Sequence, residues 1–319
     1  MSLEYKNIYR TFADSEISLP IFLQPGYLDA VAGEDGWDVV VIQINNEVKA
    51  AHPYLVSNFL LGPVLIQPIF SQYLGPYLAS SVTSDKDKQK YLMMIVESLP
   101  NFKYYNQNWS QNMLNWLPFH WHGFIQTTRY TYSIDLNSSK EVLWNNLSSS
   151  YRNKIRKALK GNYLITTNCK SIDFFKLQLD VFKRQNLSSP IELNKFLIFD
   201  KRLSETNKKI IICCKNNNGE LLSAAYLLFD SNRCYLNMFG ESNESRNLSA
   251  GIYLIWESIL YAKEILGVKI FDFQGSMIRP IEITRRDFGA NQEPYFNIYK
   301  ANNYLFKLFL AYRVLRYGK

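Results

Sequence analysis

The chain has 319 residues, of which 47% are hydrophobic and 15% aromatic, and its net charge is +8. This length suits two domains of ordinary size, and this composition excludes a disordered chain. No apolar run approaches the roughly 20 residues needed to cross a membrane. The first residues lack the basic start and apolar core of a signal peptide, so we expect none.

The first half of the chain predicts an α/β organisation, because alternating apolar runs are mixed with one strongly periodic segment. Ser84 precedes that segment and is placed to cap it as a helix. The expected elements are a strand over 37–44, a turn at 45–46, a strand over 47–55, a helix over 85–99 and strands near 102–105 and 121–126.

The second half continues the same theme at greater length. A strand over 131–136 leads into a long helix over 140–160. Three strands in succession, joined by Asn-, Gly- and Ser-rich turns, predict an antiparallel meander. The further elements expected are a strand over 163–168, helices over 171–186 and 192–205, strands over 209–215, 221–230 and 234–241, a helix over 250–266, and strands over 268–273 and 294–300.

The charge changes along the chain, and this change suggests a domain boundary. Residues 1–135 hold 8 Lys and Arg against 12 Asp and Glu, whereas residues 136–319 have a net charge of +12. We therefore expect domains at 1–130 and 131–319. The positive field of the second would attract a CoA pyrophosphate, a nucleotide-linked substrate, tRNA or an acidic membrane. Part of this charge is equally consistent with a solvated surface.

Two sequence motifs resemble the Fem-type (FemAB-like) acyltransferases, the double-domain branch of the acetyltransferase (GNAT) superfamily that includes peptidoglycan-bridge enzymes. The first is FDFQGSM at residues 271–277, followed by RRDFGA at 285–290. The second is RNKIRKA at 152–158. The resemblance covers roughly residues 36–305. It implies an α/β fold with mixed sheets, arranged as two tandem GNAT-like domains, and an acyltransferase activity.

The loop before the 250–266 helix corresponds, in this resemblance, to the GNAT loop that cradles the CoA pyrophosphate. Backbone N–H groups at a helix N-terminus are suited to an anion. The implied cofactor-binding residues are Arg246, Ser249, Ala250 and Gly251. Ser249 replaces the first glycine of the family pattern, and it equally predicts an ordinary N-cap. Fem-type enzymes also lack the full loop and use aminoacyl-tRNA, so both donors, acyl-CoA and aminoacyl-tRNA, stay open.

Acyl transfer to an amine requires proton transfer, which directs attention to acids and tyrosines at strand ends. Glu241 ends one strand beside the proposed loop, and Asp272 ends a neighbouring strand. Tyr299, on the last strand, is placed to protonate a leaving group. These three are the catalytic candidates. The alternative is that the acids hydrogen-bond loops and the tyrosine belongs to the core.

Basic residues and glycines around the motifs are the candidates for substrate binding. Arg152 and Arg156 are four residues apart on one helix, so they share a face, and arginine binds phosphate in a bidentate way. The buried face of that helix is expected at Leu147, Tyr151, Ile155 and Leu159. The candidate substrate-binding residues are Arg152, Arg156, Lys157, Gly275, Ser276 and Arg285.

No metal site is expected. His120 and His122 form an i, i+2 pair on an expected strand, but no third ligand accompanies them. The four cysteines have no metal-ligand spacing, which fits reduced thiols in the cytoplasm. Motifs of serine hydrolases, P-loop nucleotide-triphosphatases and Rossmann dehydrogenases are missing from the sequence.

The function expected from these patterns is acyltransfer. The amine of a cell-envelope, sugar-linked or lipid precursor would attack the donor directly in a ternary complex. The rival interpretation is a non-catalytic GNAT-fold module that binds an anionic ligand. Residues 304–319 carry four Lys and Arg and no acid. They predict either a peripheral contact with a membrane surface or a terminal helix packed on its own domain.

Overall fold

The computed structural model describes residues 2–275 and 277–308. The chain divides into two compact units, Met1–Arg129 with Pro294–Lys319, and Tyr130–Glu293. The sequence pattern predicted that all residues after 130 belong to the second domain. The structure instead assigns the chain from Pro294 to the first unit.

The first unit begins with helices and then forms two groups of strands. Pro25 lies in the first turn of the second helix, where its missing N–H leaves no bond unmade. Its elements up to residue 129 are α1 (Ser2–Ser15), a 3-10 turn (Ile21–Leu23), α2 (Pro25–Ala32), β1 (Asp38–Ile44), β2 (Glu47–Tyr54), β3 (Val56–Phe59), β4 (Gly62–Ile66), β5 (Tyr77–Leu78), α3 (Asp85–Glu97), β6 (Tyr104–Asn108) and α4 (Leu117–Trp121).

The second unit alternates helices and strands, as the sequence pattern predicted. Its elements are β7 (Ile125–Asp135), α5 (Lys140–Asn146), α6 (Ser149–Leu159), β8 (Leu164–Thr166), α7 (Ser171–Arg184), α8 (Leu193–Ser204), β9 (Lys209–Lys215), β10 (Leu221–Phe229), β11 (Arg233–Glu241), α9 (Asn243–Leu248), α10 (Ala250–Glu264), β12 (Ile270–Asp272) and α11 (Arg279–Asp287). The last strand, β13 (Asn291–Ala301), pairs with β6 of the first unit.

Strand pairing in the first unit is mixed. β1, β2 and β5 form an antiparallel group, while β3, β4, β6 and β13 pair in that order with β4 and β6 parallel. Successive side chains of β1 point to opposite faces of the strand and pack in two different hydrophobic cores. Val40 and Ile42 pack in the cluster that contains Ile95 of α3, whereas Val39 packs with Tyr9 of α1. Both faces of the hairpin are therefore covered by helices.

The second unit pairs six strands in the order β7, β12, β11, β10, β9, β8, and only β11 and β12 are parallel. Helices cover both faces. On β10, Leu227 packs in the core that contains Leu254 and Ile259 of α10. Tyr226, one residue earlier, points the other way, and its ring lies against Phe174 of α7 at 5.5 Å. The mixed α/β class predicted from the sequence is confirmed.

The helix expected over 140–160 is two helices. Leu147 is extended, with φ −61° and ψ 144°, so α5 ends there. The Ser148 hydroxyl then accepts the backbone N–H of Tyr151 and starts α6 as its N-cap. Leu159 was also predicted to lie on the buried face of this helix, but it is 53% exposed.

Residues Arg279–Asp287 form α11, with Pro280 in its first turn and Arg285 and Arg286 complementing the dipole at its last turn. One other local expectation was wrong. His120 lies in α4 rather than on a strand. Within residues 2–275 and 277–308, no helix combines the length and apolar character that spanning a bilayer would require.

Candidate active site

The parallel strands β11 and β12 stay together for only three positions. Arg233 pairs with Ile270, Cys234 with Phe271 and Tyr235 with Asp272. β12 ends at that point, whereas β11 continues to Glu241. The sheet therefore opens at the carboxyl ends of its parallel strands, which is where α/β sheets bind ligands.

A β-bulge lies on the free part of β11. Tyr226 pairs with Met238 and Leu227 with Leu236, so Asn237 has no opposite residue on β10. The extra residue changes the alternation of β11. From the bulge onward, Asn237, Phe239 and Glu241 are half-buried, while Met238 and Gly240 between them are buried. Bulges of this kind re-aim side chains next to functional sites.

Glu241 lies against the N-terminus of α10. The backbone N–H of Gly251 donates a hydrogen bond to its carboxylate, and the Ser245 hydroxyl donates another at 2.9 Å. The approach is close. A Cβ built on Gly251 would lie 2.3 Å from Glu241 Oε1 and 3.1 Å from Phe239 Cζ. Position 251 is therefore glycine because the carboxylate occupies the space of a side chain.

Positive charge surrounds this carboxylate. Arg184, at the end of α7, donates to the main-chain oxygen of Glu241, and both Arg184 and Arg246 favour its ionised form. Burial acts in the opposite direction and is the largest effect, so the pKa of Glu241 is raised above its ordinary value. Glu241 is thus a half-buried acid held at a helix N-terminus by donors of its own chain.

In the loop predicted to hold a pyrophosphate, the Glu241 carboxylate lies against Gly251. Ser249 is left-handed, with φ 62°, and its side chain does not cap α10, so the N-cap interpretation was wrong. Ser249 and Ala250 are buried, and only Arg246 among the four predicted residues is exposed. A pyrophosphate at these amides would face the Glu241 carboxylate. The residues present therefore do not fit CoA at this loop.

Asp272 is sealed inside the unit. It is fully buried, and its carboxylate accepts hydrogen bonds from Thr131 Oγ1 at 2.7 Å, from Gln274 N at 2.7 Å and from Arg233 Nη1 at 2.7 Å. Burial raises the pKa of Asp272, and the Arg233 charge opposes that shift. All its acceptor positions face inward partners, so it positions the end of β12.

Arg285 forms no salt bridge within the described residues, although the nearby Asp272 charge opposes the burial that lowers its pKa. Its guanidinium stacks over the Phe273 ring at 5.2 Å from the centroid, and its Nε is buried without an acceptor. Burial lowers the pKa of Arg285 to about 10. The Nε2 of Gln274, next to Phe273, is also a buried donor without an acceptor. Each of these two buried donors would be stabilised by an acceptor oxygen, which the described residues do not supply.

The basic residues of α6 divide into two groups. Arg152 is half-buried and donates to the carbonyls of Asn145 at 2.9 Å and Leu147 at 2.6 Å, so it closes the break between α5 and α6. Arg156 and Lys157 are exposed. Lys157 Nζ lies 3.4 Å from the Asn247 carbonyl, which places α6 beside α9 and its Arg246.

Solved structures with the same architecture identify the fold. The crystal structure of FemX matches with a TM-score of 0.70 at 13% identity, covering 91% of this chain and 95% of that one. L-PGS from Bacillus licheniformis matches with a TM-score of 0.58 at 10% identity, covering 97% and 96%. The chain has the Fem-type, tandem GNAT fold.

A third structure agrees with this fold. A tandem GNAT protein from the clavulanic acid biosynthesis pathway matches with a TM-score of 0.54 at 9% identity, covering 94% of this chain and 96% of that one. No family model and no curated protein sequence matches the chain. The Fem-type fold is therefore recognised from the path of the backbone, with little sequence identity behind it.

Three further residues predicted from the sequence lie apart from this cluster or outside the described residues. Gly275 follows Gln274 and is half-buried. Ser276 lies outside the described residues. Tyr299 is a half-buried residue of β13, where it pairs with Asn106 of β6 in the first unit. The structure brings Glu241, Gly251 and Arg246 together, and it places Tyr299 on the sheet of the other unit.

The sequence patterns did not indicate several residues of the candidate site. Arg184 holds the Glu241 backbone, and Arg233 pairs with Asp272 from 39 residues away. Neither position has a motif around it. The Asn237 bulge also has no local signal, because β11 reads as an ordinary apolar strand. Metal binding has no support among residues 2–275 and 277–308, where no three His, Cys, Asp or Glu side chains form a cluster.

Proposed function

We propose that this chain is an acyltransferase that moves an aminoacyl group from aminoacyl-tRNA to the amine of a cell-envelope precursor. The observation that carries the choice of donor is the Glu241 carboxylate at the N-terminus of α10. The motifs left acyl-CoA and aminoacyl-tRNA open. The structure of the loop supports the second, since the Gly251 amide at the start of α10 already faces the Glu241 carboxylate.

Exposed cations of the second unit support a polyanionic donor. Lys154, Arg156 and Lys157 on α6, with Arg246 on α9, are all exposed. None of the four forms an ion pair within the part of the chain that the structure describes. Unpaired surface cations beside an opened sheet are what the phosphates of an RNA would neutralise.

The reaction needs no covalent enzyme intermediate. The amine nitrogen attacks the ester carbonyl, an amide bond forms, the bond from the carbonyl carbon to the ribose oxygen breaks, and the proton lost by the amine leaves with the ribose hydroxyl. The Fem-type fold would act by holding the two substrates together and stabilising the developing oxyanion. Arg285 and Gln274 are the donors suited to that oxyanion, because each has a buried N–H group without an acceptor.

A direct transfer assay tests this function. The protein is incubated with a set of tRNAs carrying labelled amino acids, or with labelled acetyl-CoA, and with a panel of acceptor amines. We expect labelled amide product from aminoacyl-tRNA alone, and no rise in melting temperature with coenzyme A. Acetyl transfer from acetyl-CoA, or saturable thermal stabilisation by coenzyme A, would reject the proposed donor.

A second candidate is a non-catalytic module that binds an anionic ligand. The observation in its favour is that Asp272 is sealed by Thr131, Arg233 and Gln274, so that it is not free to act as a base. In that case uncharged tRNA or a nucleotide-linked precursor would bind in a salt-dependent way, and no acceptor would become labelled under any condition. Formation of labelled product separates the two candidates.

A further inference from the structure

One end of the first unit exposes large apolar side chains. Leu60, at the β3–β4 turn, is 106% exposed, so no described residue covers it. Leu61 beside it is 36% exposed. The helical turn over 304–308 adds Tyr304 at 72% and Leu305 at 53%. Scattered exposed apolar residues are ordinary, but a contiguous group marks an interaction site.

Contacts around residues 102–104 bring these two segments to the same end. The N–H of Lys103 donates to the Pro63 carbonyl at 2.7 Å, and its stem lies so near the turn that a Cβ on Gly62 would be 2.9 Å from Lys103 Cγ. On the other side, the N–H of Asn302 donates to the Lys103 carbonyl at 2.9 Å. Lys103 thus lies between the leucine turn and the last residues of β13.

The helical turn is attached at the same place. The ring of Phe306 stacks on Tyr104 at 5.2 Å with an interplanar angle of 8°. This stack directs one side of the turn inward, while Leu305 and Leu308 stay about half exposed. We call the set Leu60, Leu61, Lys103, Tyr304, Leu305, Lys307 and Leu308 the apolar–basic end.

The apolar–basic end is also positively charged. Residues 294–308 contain two lysines and no acid. Lys307 is close enough to Lys300 to lower its pKa, in addition to the larger effect of burial. Neither Lys103 nor Lys307 forms an ion pair with a described residue. The apolar–basic end therefore carries lysines that form no ion pair with a described acid.

We propose that the apolar–basic end docks on the surface of an anionic lipid bilayer. Leucine and tyrosine side chains partition into the boundary between head groups and acyl chains, while lysines at the same level attract anionic head groups. The combination of exposed leucines with lysines at the same end matches the apolar and anionic layers of a bilayer surface. This inference concerns the first unit and does not depend on the proposed transfer reaction.

The test is flotation of the full chain with extruded vesicles. We expect binding to vesicles of phosphatidylcholine with about one quarter phosphatidylglycerol, and much weaker binding to pure phosphatidylcholine. The pair Leu60→Ser and Leu61→Ser should weaken binding about tenfold or more. Lys307→Gln should weaken it about fivefold on the anionic vesicles only.

Matched controls keep the proposal falsifiable. Ile198→Ser with Ile265→Ser removes two residues of the second unit that are 51% and 67% exposed, and it should leave vesicle binding unchanged. Lys86→Gln, an exposed lysine of α3, serves as the charge control. Failure of the unaltered chain to float, or an equal loss in both leucine and isoleucine pairs, overturns the proposal. So does a wild-type dimer that dissociates when Leu60 and Leu61 are changed, if it does not float.

Discussion

The carboxylate of Glu241 accepts the backbone N–H of Gly251 at the start of α10, where it takes the space of a side chain. This one contact, between residues ten apart, has three consequences. It supplies an acceptor at the start of α10, it requires glycine at position 251, and it places a carboxylate where a CoA pyrophosphate would otherwise bind. The consequences can be measured separately.

Gly251→Ala should destabilise the fold by about 1–3 kcal/mol, because the added Cβ would lie 2.3 Å from Glu241 Oε1. Urea unfolding measures the loss. Since the blocking atom belongs to a side chain, Glu241→Ala should restore part of it in the double variant. Equal losses in the single and double variants would mean that the steric conflict is with Phe239 or the backbone instead.

Arg285→Met should lower transfer and leave stability equal or higher. Arg285 forms no salt bridge with a described residue and its Nε is buried without an acceptor, so its removal relieves a desolvation cost. A donor lost from the oxyanion costs about 10²- to 10³-fold in kcat. Arg286→Met is the control, because Arg286 is exposed and pairs with Glu282 at 3.7 Å. A large loss of stability in Arg285→Met would instead make the residue structural.

Asp272→Asn should cost about 3–5 kcal/mol, since it removes the carboxylate charge that pairs with the buried guanidinium of Arg233 at 2.7 Å. Asp135→Asn, at an exposed position on β7, is the control and should change little. Denaturant midpoints of both variants decide the matter. A stable Asp272→Asn protein would show that the pair with Arg233 contributes little.

Stability should fall between neutral and mildly acidic pH because of His52. This residue is fully buried, its Nε2 lies 3.0 Å from Gln107 Oε1, and burial lowers its pKa from 6.5 to about 4. The unfolded chain therefore binds the extra proton first, below pH 6.5, and the loss is complete below about pH 4. Between pH 7 and pH 5 it should amount to about 2 kcal/mol.

The control for the pH prediction is His52→Gln, which removes the titrating ring. The difference in unfolding free energy between pH 7 and pH 5 should shrink by the same amount in this variant. An unchanged difference would assign the pH dependence to other groups.

Arg156→Ala with Lys157→Ala should weaken tRNA binding and reduce the slope of log affinity against log salt by roughly one to two. Both side chains are exposed on α6. The matched control is Lys195→Ala with Lys201→Ala, two exposed lysines of α8. An unchanged slope would leave these cations as a solvated surface. Arg152 is not included, because its hydrogen bonds to Asn145 and Leu147 make it part of the fold.

Most of the helices and strands could be predicted from local sequence patterns. The hydroxyls of Ser84 and Ser139 accept a hydrogen bond from the backbone N–H three residues later, and so cap α3 and α5. A serine before a periodic apolar segment therefore predicts where a helix begins. The strand over Lys209–Lys215 was predicted with its observed limits. Resemblance of two short motifs then led to the Fem-type fold, although overall identity to the matching structures is low.

The amino-acid sequence by itself determined the order and type of the elements, the excess of positive charge and the motifs of the fold, because periodicity, caps and turns act over a few residues. Only the tertiary structure decided which predicted site residues are available. The sequence predicted Asp272 as a candidate base, but in the structure Arg233, 39 residues away, donates a hydrogen bond to its carboxylate. β13 follows the second unit in sequence but pairs with β6, since strand pairing is set by backbone hydrogen bonds between distant segments. Neither kind of contact leaves a pattern in neighbouring residues.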